Sequence, residues 1–150
     1  MEVLIVEDEF LISLLMERTL QAAGHSVIGP ARTAEEGVRL ARRERPDLAL
    51  VDIRLGDGSD GVEVARTIWK QFETPSILVT AYADDARRAA EVSIGCLHKP
   101  FAPVELLETV NIGGRFLDGR QPTPGPHNFE LYIPEERFPL QPYFGPSSGG

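Results

Sequence analysis

Val3-Leu4-Ile5-Val6-Glu7-Asp8-Glu9 opens the chain with four aliphatic residues that stop at three carboxylates. A run like this, without polar alternation, reads as a strand buried on both faces of a parallel sheet. Leu48-Ala49-Leu50-Val51-Asp52 repeats the pattern. In open parallel sheets, ligands bind beyond the carboxyl ends of the strands, where strand order reverses. Two acidic strand ends therefore predict one shared acidic pocket.

Outward from these runs, strand-like and helix-like segments alternate. Phe10 to Ala23 is apolar and stopped by Gly24, and His25–Gly29 reads as a second strand. Thr33 with Glu36 three residues on is a capping-box signature, opening a helix to about Arg43. Pro46 and Asp47 break it before the third strand. Gly56, Gly58 and Gly61 mark a loop, and Val62, Ala65, Ile68, Trp69 and Phe72 then recur at helical spacing. Ser76–Thr80 is a fourth strand. Asp84 caps a weak helix of Ala and Arg up to Val92. Gly95–His98 is a fifth strand, and Pro103 opens a last helix to about Asn111. Five strands alternating with five helices predict a doubly wound α/β domain over residues 1–118.

The 150 residues suit one domain, and 42% hydrophobic with 25% charged residues is ordinary for a globular protein. A net charge of -8 argues against a nucleic-acid ligand. Arg32, Arg39, Arg42, Arg43 and Arg45 are interleaved with Glu35, Glu36, Glu44 and Asp47, the pattern of a solvated helix face. The lone Cys96 excludes an intramolecular disulfide, and no apolar stretch approaches a bilayer span. A cytoplasmic protein without a membrane or nucleic-acid partner is expected.

Four of the five strands end in reactive residues: Glu7-Asp8, Asp52, Thr80-Ala81 and Lys99-Pro100. Clustered carboxylates repel by about 4 kcal/mol per close pair at intermediate dielectric. A hard divalent cation offsets this, and Mg²⁺ typically takes one or two carboxylates and a phosphate oxygen. With a cation present, Asp52 can attack phosphorus to form an acyl phosphate. Lys99 can neutralise a phosphoryl oxygen as a point charge, while Thr80 and the Ala81 N–H donate to the others. Such a site works by positioning and charge stabilisation.

With Val6-Glu7-Asp8-Glu9, Val51-Asp52-Ile53, Val79-Thr80-Ala81 and His98-Lys99-Pro100-Phe101 in order, the chain resembles a receiver domain of the bacterial two-component response-regulator family. The resemblance implies a five-stranded parallel sheet in the order 2-1-3-4-5. It implies a stand-alone phosphorelay switch and not a dedicated enzyme, beyond self-catalysed phosphorylation and dephosphorylation. Asp52 would accept phosphoryl from a histidine kinase or phosphotransfer protein. Asp8, Asp52 and the Arg54 backbone carbonyl would ligate Mg²⁺, with Glu7 acting through a water. Lys99 would pair with the phosphoryl group, Thr80 would swing toward it, and the Lys99-Pro100 bond would be cis.

Three departures stand out. The family's aromatic residue three positions before the lysine is Cys96 here, so Tyr82 either supplies a substitute aromatic for the switch or is a half-buried loop residue. The family's Pro four residues after the phosphoacceptor is Gly56, in a loop one residue longer than usual. Residues 119–150 form a Pro-rich tail, with seven of the twelve prolines in the last 29 residues. That tail also holds Phe129, Tyr132, Phe138, Tyr143 and Phe144, so it is richer in aromatics than disordered segments usually are. Either Phe129–Ile133 docks as an extended strand, or the tail is floppy.

The helix after Thr80 offers mainly alanines to the core and is a candidate moving element. Output is expected through an as yet unknown downstream protein, and a homodimer through the face around residues 84–112 stays open. The competing reading is a pseudo-receiver acting as a phosphorylation-independent docking scaffold. A nucleotide or flavin site is disfavoured, because Glu7-Asp8-Glu9 stands where a phosphate loop belongs.

Overall fold

A computed structural model describes residues 1–132. Strands β1 (Glu2–Val6), β2 (Ser26–Ala31), β3 (Leu48–Val51), β4 (Ser76–Thr80) and β5 (Gly95–His98) are parallel. They alternate with helices α1 (Phe10–Ala22), α2 (Ala34–Glu44), α3 (Gly61–Phe72), α4 (Ala83–Ala86) and α5 (Pro103–Leu117). Spatial order is β2-β1-β3-β4-β5, as expected. The sheet has six strands and not five, because β6 (Phe129–Leu131) pairs antiparallel with the outer edge of β5. Ile133 and the aromatics beyond it lie outside the described residues.

The aliphatic runs are buried on both faces because alternate side chains enter two separate cores. Leu4, Val6, Ala49, Val51 and Leu78 pack with Leu40, Val62, Ala65 and Ile68 of α2 and α3. Val3, Ile5, Leu48, Leu50 and Ile77 pack with Met16, Leu20, Leu106, Val110 and Phe116 of α1 and α5. Each fully buried aliphatic side chain contributes about 2 kcal/mol. The register sets Val6 beside Val51, so Glu7 and Asp52 leave the sheet next to each other.

Local chemistry fixes the helix ends. The Thr33 hydroxyl accepts from the Glu36 amide at 3.1 Å, while Glu36 Oε1 accepts from Arg32 N and not from Thr33 N as a full capping box requires. Asp60 caps α3 by accepting from Val62 N at 2.9 Å. α5 runs six residues beyond Asn111, because Ile112, Gly113 and Phe116 are buried there. Gly113 lets α5 lie against Leu48.

The helix expected from Asp84 to Val92 is a correction. α4 is a single turn followed by a 3-10 turn at Arg87–Ala89, and Asp84 lies within the helix and does not cap it. Only Ala86, Ala89 and Val92 of this stretch reach the core, too little apolar area to hold a longer helix.

Candidate functional site

The carboxyl ends of β1, β3, β4 and β5 converge on a cleft of about 220 Å³ lined by Asp8, Glu9, Asp52, Arg54, Gly56, Ala81, Tyr82 and Lys99. Glu7 lies beneath it, fully buried, and Asp52 is only 5% exposed. Glu7, Asp8 and Asp52 each bring an oxygen to within 4.8 Å of the others. Lys99 Nζ lies 2.7 Å from Glu7 Oε1, 3.0 Å from Asp52 Oδ2 and 3.3 Å from Glu9 Oε1. The contact to Glu7 is an ion pair whose angles fall outside those of a hydrogen bond.

Three carboxylates thus contact one ammonium, and Asp8 adds a fourth beside Glu7 and Asp52. Burial pushes the Glu7 carboxyl up to about 7, and neighbouring Asp52 adds to the rise against the pull of Lys99. Burial works against the Lys99 charge too, but Glu7 and Asp52 outweigh it and hold the ammonium above the ordinary lysine value. A pocket with this excess of oxygen ligands and negative charge suits a divalent cation.

The loop after Asp52 is built around the pocket. The Arg54 amide donates to Asp52 Oδ1 at 3.3 Å, and Leu55 N donates to Ser59 O. Gly56 stands where the family's proline was expected, and a Cβ there would collide with Asp8 Oδ2. Any side chain would displace that carboxylate. Gly61 is more tightly constrained, since a Cβ there would meet the Asp52 backbone carbonyl and not the end of a side chain.

Thr80 is fully buried behind the rim, and its hydroxyl accepts from the Tyr82 amide at 3.1 Å. Lys99 N donates to Thr80 O at 2.9 Å, tying the ends of β4 and β5 together. The Lys99–Pro100 peptide bond is cis. Tyr82 does not fill the space beside Cys96. It is 45% exposed, and its ring lies 3.5 Å from the Arg54 guanidinium, which also pairs with Asp85 at 2.7 Å. Cys96 faces away from the cleft, fully buried, and Tyr132 packs against the same cluster.

Sequence reasoning assigned no role to Glu9, although it stands in the acidic triplet and contacts Lys99. The Arg54 side chain was also missed. Its partners, Tyr82 and Asp85, come from the segment after β4 and from α4, and no local pattern signals them.

A family model described as the response regulator receiver domain matches residues 3–111. The chain belongs to the response regulator receiver family. This receiver is 39% identical over 112 residues to the phyllosphere-induced regulator PhyR of Methylorubrum extorquens, covering 73% of the chain and 42% of that protein. It is 36% identical to the crystallised signal receiver domain of a modulated diguanylate cyclase from Desulfovibrio desulfuricans, with a TM-score of 0.68 over 75% of this receiver and 91% of that chain. A CheY-like receiver protein from Methanospirillum hungatei superposes with a TM-score of 0.69 at 31% identity, covering 73% and 90%. The receiver spans under half the length of PhyR and 48% of the transcriptional regulatory protein AfsQ1 of Streptomyces coelicolor. Among the described residues, no helix is long and apolar enough to cross a membrane.

Proposed function

We propose that this receiver is a phosphorylation-activated switch in which Asp52 accepts a phosphoryl group from a histidine kinase or phosphotransfer protein. The observation that carries the reading is the buried Lys99 ammonium shared by Glu7 and Asp52 beside Asp8. An Asp52 carboxylate oxygen attacks phosphorus, the bond from phosphorus to the donor breaks, and the donor group leaves with its electron pair. The product is an acyl phosphate on Asp52.

Lys99 meets the charge on the transferred oxygens, and the Ala81 N–H at the cleft rim donates to another. Thr80 turns its hydroxyl from the Tyr82 amide toward the new group. Asp8, Asp52 and the Arg54 backbone carbonyl would hold Mg²⁺, with Glu7 acting through a water, and the cation would neutralise charge between carboxylates and phosphoryl oxygens.

Exposed Phe10 and Leu11 directly follow the acidic triplet, exposed Leu15 stands one turn further along α1, and Val104 stands five residues beyond Lys99. These apolar side chains support docking of a phosphodonor protein near the cleft. Output runs through contact with a downstream protein in the cytoplasm, and the face around residues 84–112 is the candidate for self-association.

The test is intact mass after incubation with acetyl phosphate and Mg²⁺. One phosphoryl gained, and lost in Asp52→Asn, supports the switch. No gain, with no Mg²⁺ binding, leaves the phosphorylation-independent docking scaffold.

A further inference from the structure

β6 occupies the edge of the sheet nearest the switch elements, and its anchors lead back to the pocket. On the pocket side, Asn128 O accepts from His98 N at 2.8 Å, and Asn128 Nδ2 reaches His98 O and Pro100 O at 3.3 and 3.4 Å. These carbonyls flank Lys99, whose ammonium pairs with Asp52. On the other side, the Arg87 guanidinium pairs with Glu130 of β6 at 3.2 Å. Arg87 follows the one-turn helix α4, which carries Asp85, the partner of Arg54. Both anchors are thus two or three contacts from the Asp52 carboxylate.

The seam is also poorly satisfied. Five buried side-chain polar atoms among the described residues lack a hydrogen-bond partner, and three lie here: His98 Nε2, Asn128 Oδ1 and the Tyr132 hydroxyl. The Tyr132 hydroxyl has only the weakly accepting Cys96 thiol beside it, His98 Nε2 and Asn128 Oδ1 are desolvated without a partner, and all three gain water if the seam opens. Against that, β6 is three residues long with only half-buried side chains. Such an element sits at the low-stability end of the fold.

The fit is nonetheless specific. Gly95 has no side chain where the Phe129 ring and the Glu130 carbonyl approach, and a Cβ there would collide with both. Tyr132 N donates to Ile94 O at 2.9 Å, and its ring covers the cluster that contains Cys96. A small residue at 96 leaves the room that this tail tyrosine takes.

We infer that residues 122–132 are a displaceable cover on β5, with Tyr132 closing over Cys96, and that phosphorylation of Asp52 releases it. This rests on the proposed phosphoryl acceptance. A phosphoryl group adds about −1.5 to −2 charge, which draws Lys99 and Arg54 toward Asp52. That shifts the Lys99–Pro100 loop under Asn128 and takes Arg54 from Asp85, loosening the segment that carries Arg87. Release bares the β5 edge to a partner strand.

Cys96, the only cysteine, reports the cover directly. The full chain is treated with acetyl phosphate and Mg²⁺, then with iodoacetamide, and intact mass reads phosphoryl and alkyl groups on the same molecules. Phosphorylated molecules should alkylate about ten-fold faster or more. Gly95→Ala, which evicts β6, should alkylate fast with or without phosphoryl. Phosphoryl gain with unchanged alkylation, while Gly95→Ala is fast, overturns the inference and leaves the switch reading intact. If Gly95→Ala is also slow, exchange of the His98 and Tyr132 amides decides: faster exchange on phosphorylation supports release, and unchanged protection overturns it. No phosphoryl gain overturns both readings.

Discussion

Replacing Lys99 by Met removes the one ammonium that contacts Glu7 among the described residues, and the fully buried carboxyl takes up a proton instead. The expected loss is about 2 kcal/mol in urea unfolding at neutral pH. Adding Glu7→Gln should recover part of it, and simple additivity would show that the two do not act as a pair. Cys96 allows a test by pH. Burial pushes its thiol up to about 12 from an ordinary 9. The fold therefore favours the neutral thiol, and that contribution is complete below pH 9. It is lost as pH rises from 9 to 12, because the unfolded chain ionises first. Relative to Cys96→Ser, the wild type should lose about 1.4 kcal/mol per pH unit in that window. Parallel curves would rule this out. Glu7, Asp8, Asp52 and Lys99 were legible in the sequence because each stands one or two residues past the end of an expected strand. The Arg54–Tyr82–Asp85 contact was not, since it depends on where the loop after β3 meets the start of α4.

At the scale of elements, the helices read well where a side chain marks the end. Thr33 announces α2, while α5 outran its expected stop because Gly113 serves close packing on Leu48 and does not end the helix. α4 was overestimated, since alanines at helical spacing carry propensity but bury little. Whether the tail paired was open in the sequence, because a strand as short as Phe129–Leu131 pairs only if an edge is available. The α3 cap gives a prediction: Asp60→Ala should cost about 1 kcal/mol of stability by denaturant unfolding. Gly61→Ala should reach the pocket as well, driving α3 against the Asp52 carbonyl. Lower stability together with weaker Mg²⁺ binding is expected there, and unchanged Mg²⁺ affinity would argue that the α3 start does not position Asp52.

For the whole molecule, Mg²⁺ held by the clustered carboxylates would couple metal binding to folding. Mg²⁺ at a hundred times its dissociation constant should stabilise the protein by about 2.7 kcal/mol over the same sample in EDTA. Asp8→Asn should abolish most of that difference in thermal unfolding. Equal melting with and without Mg²⁺ would remove the metal from the account. The order of the five parallel strands followed from βα alternation and the family resemblance, and the polar strand ends then define one site on one edge of the sheet. The most direct measurement traps the modification at its residue. Protein treated with acetyl phosphate and Mg²⁺ is reduced with borohydride, which converts an aspartyl phosphate to homoserine, and is then mapped by peptide mass spectrometry. Homoserine at position 52 alone is the predicted result. Reduction at another carboxylate, or at none while phosphate is retained, would contradict it.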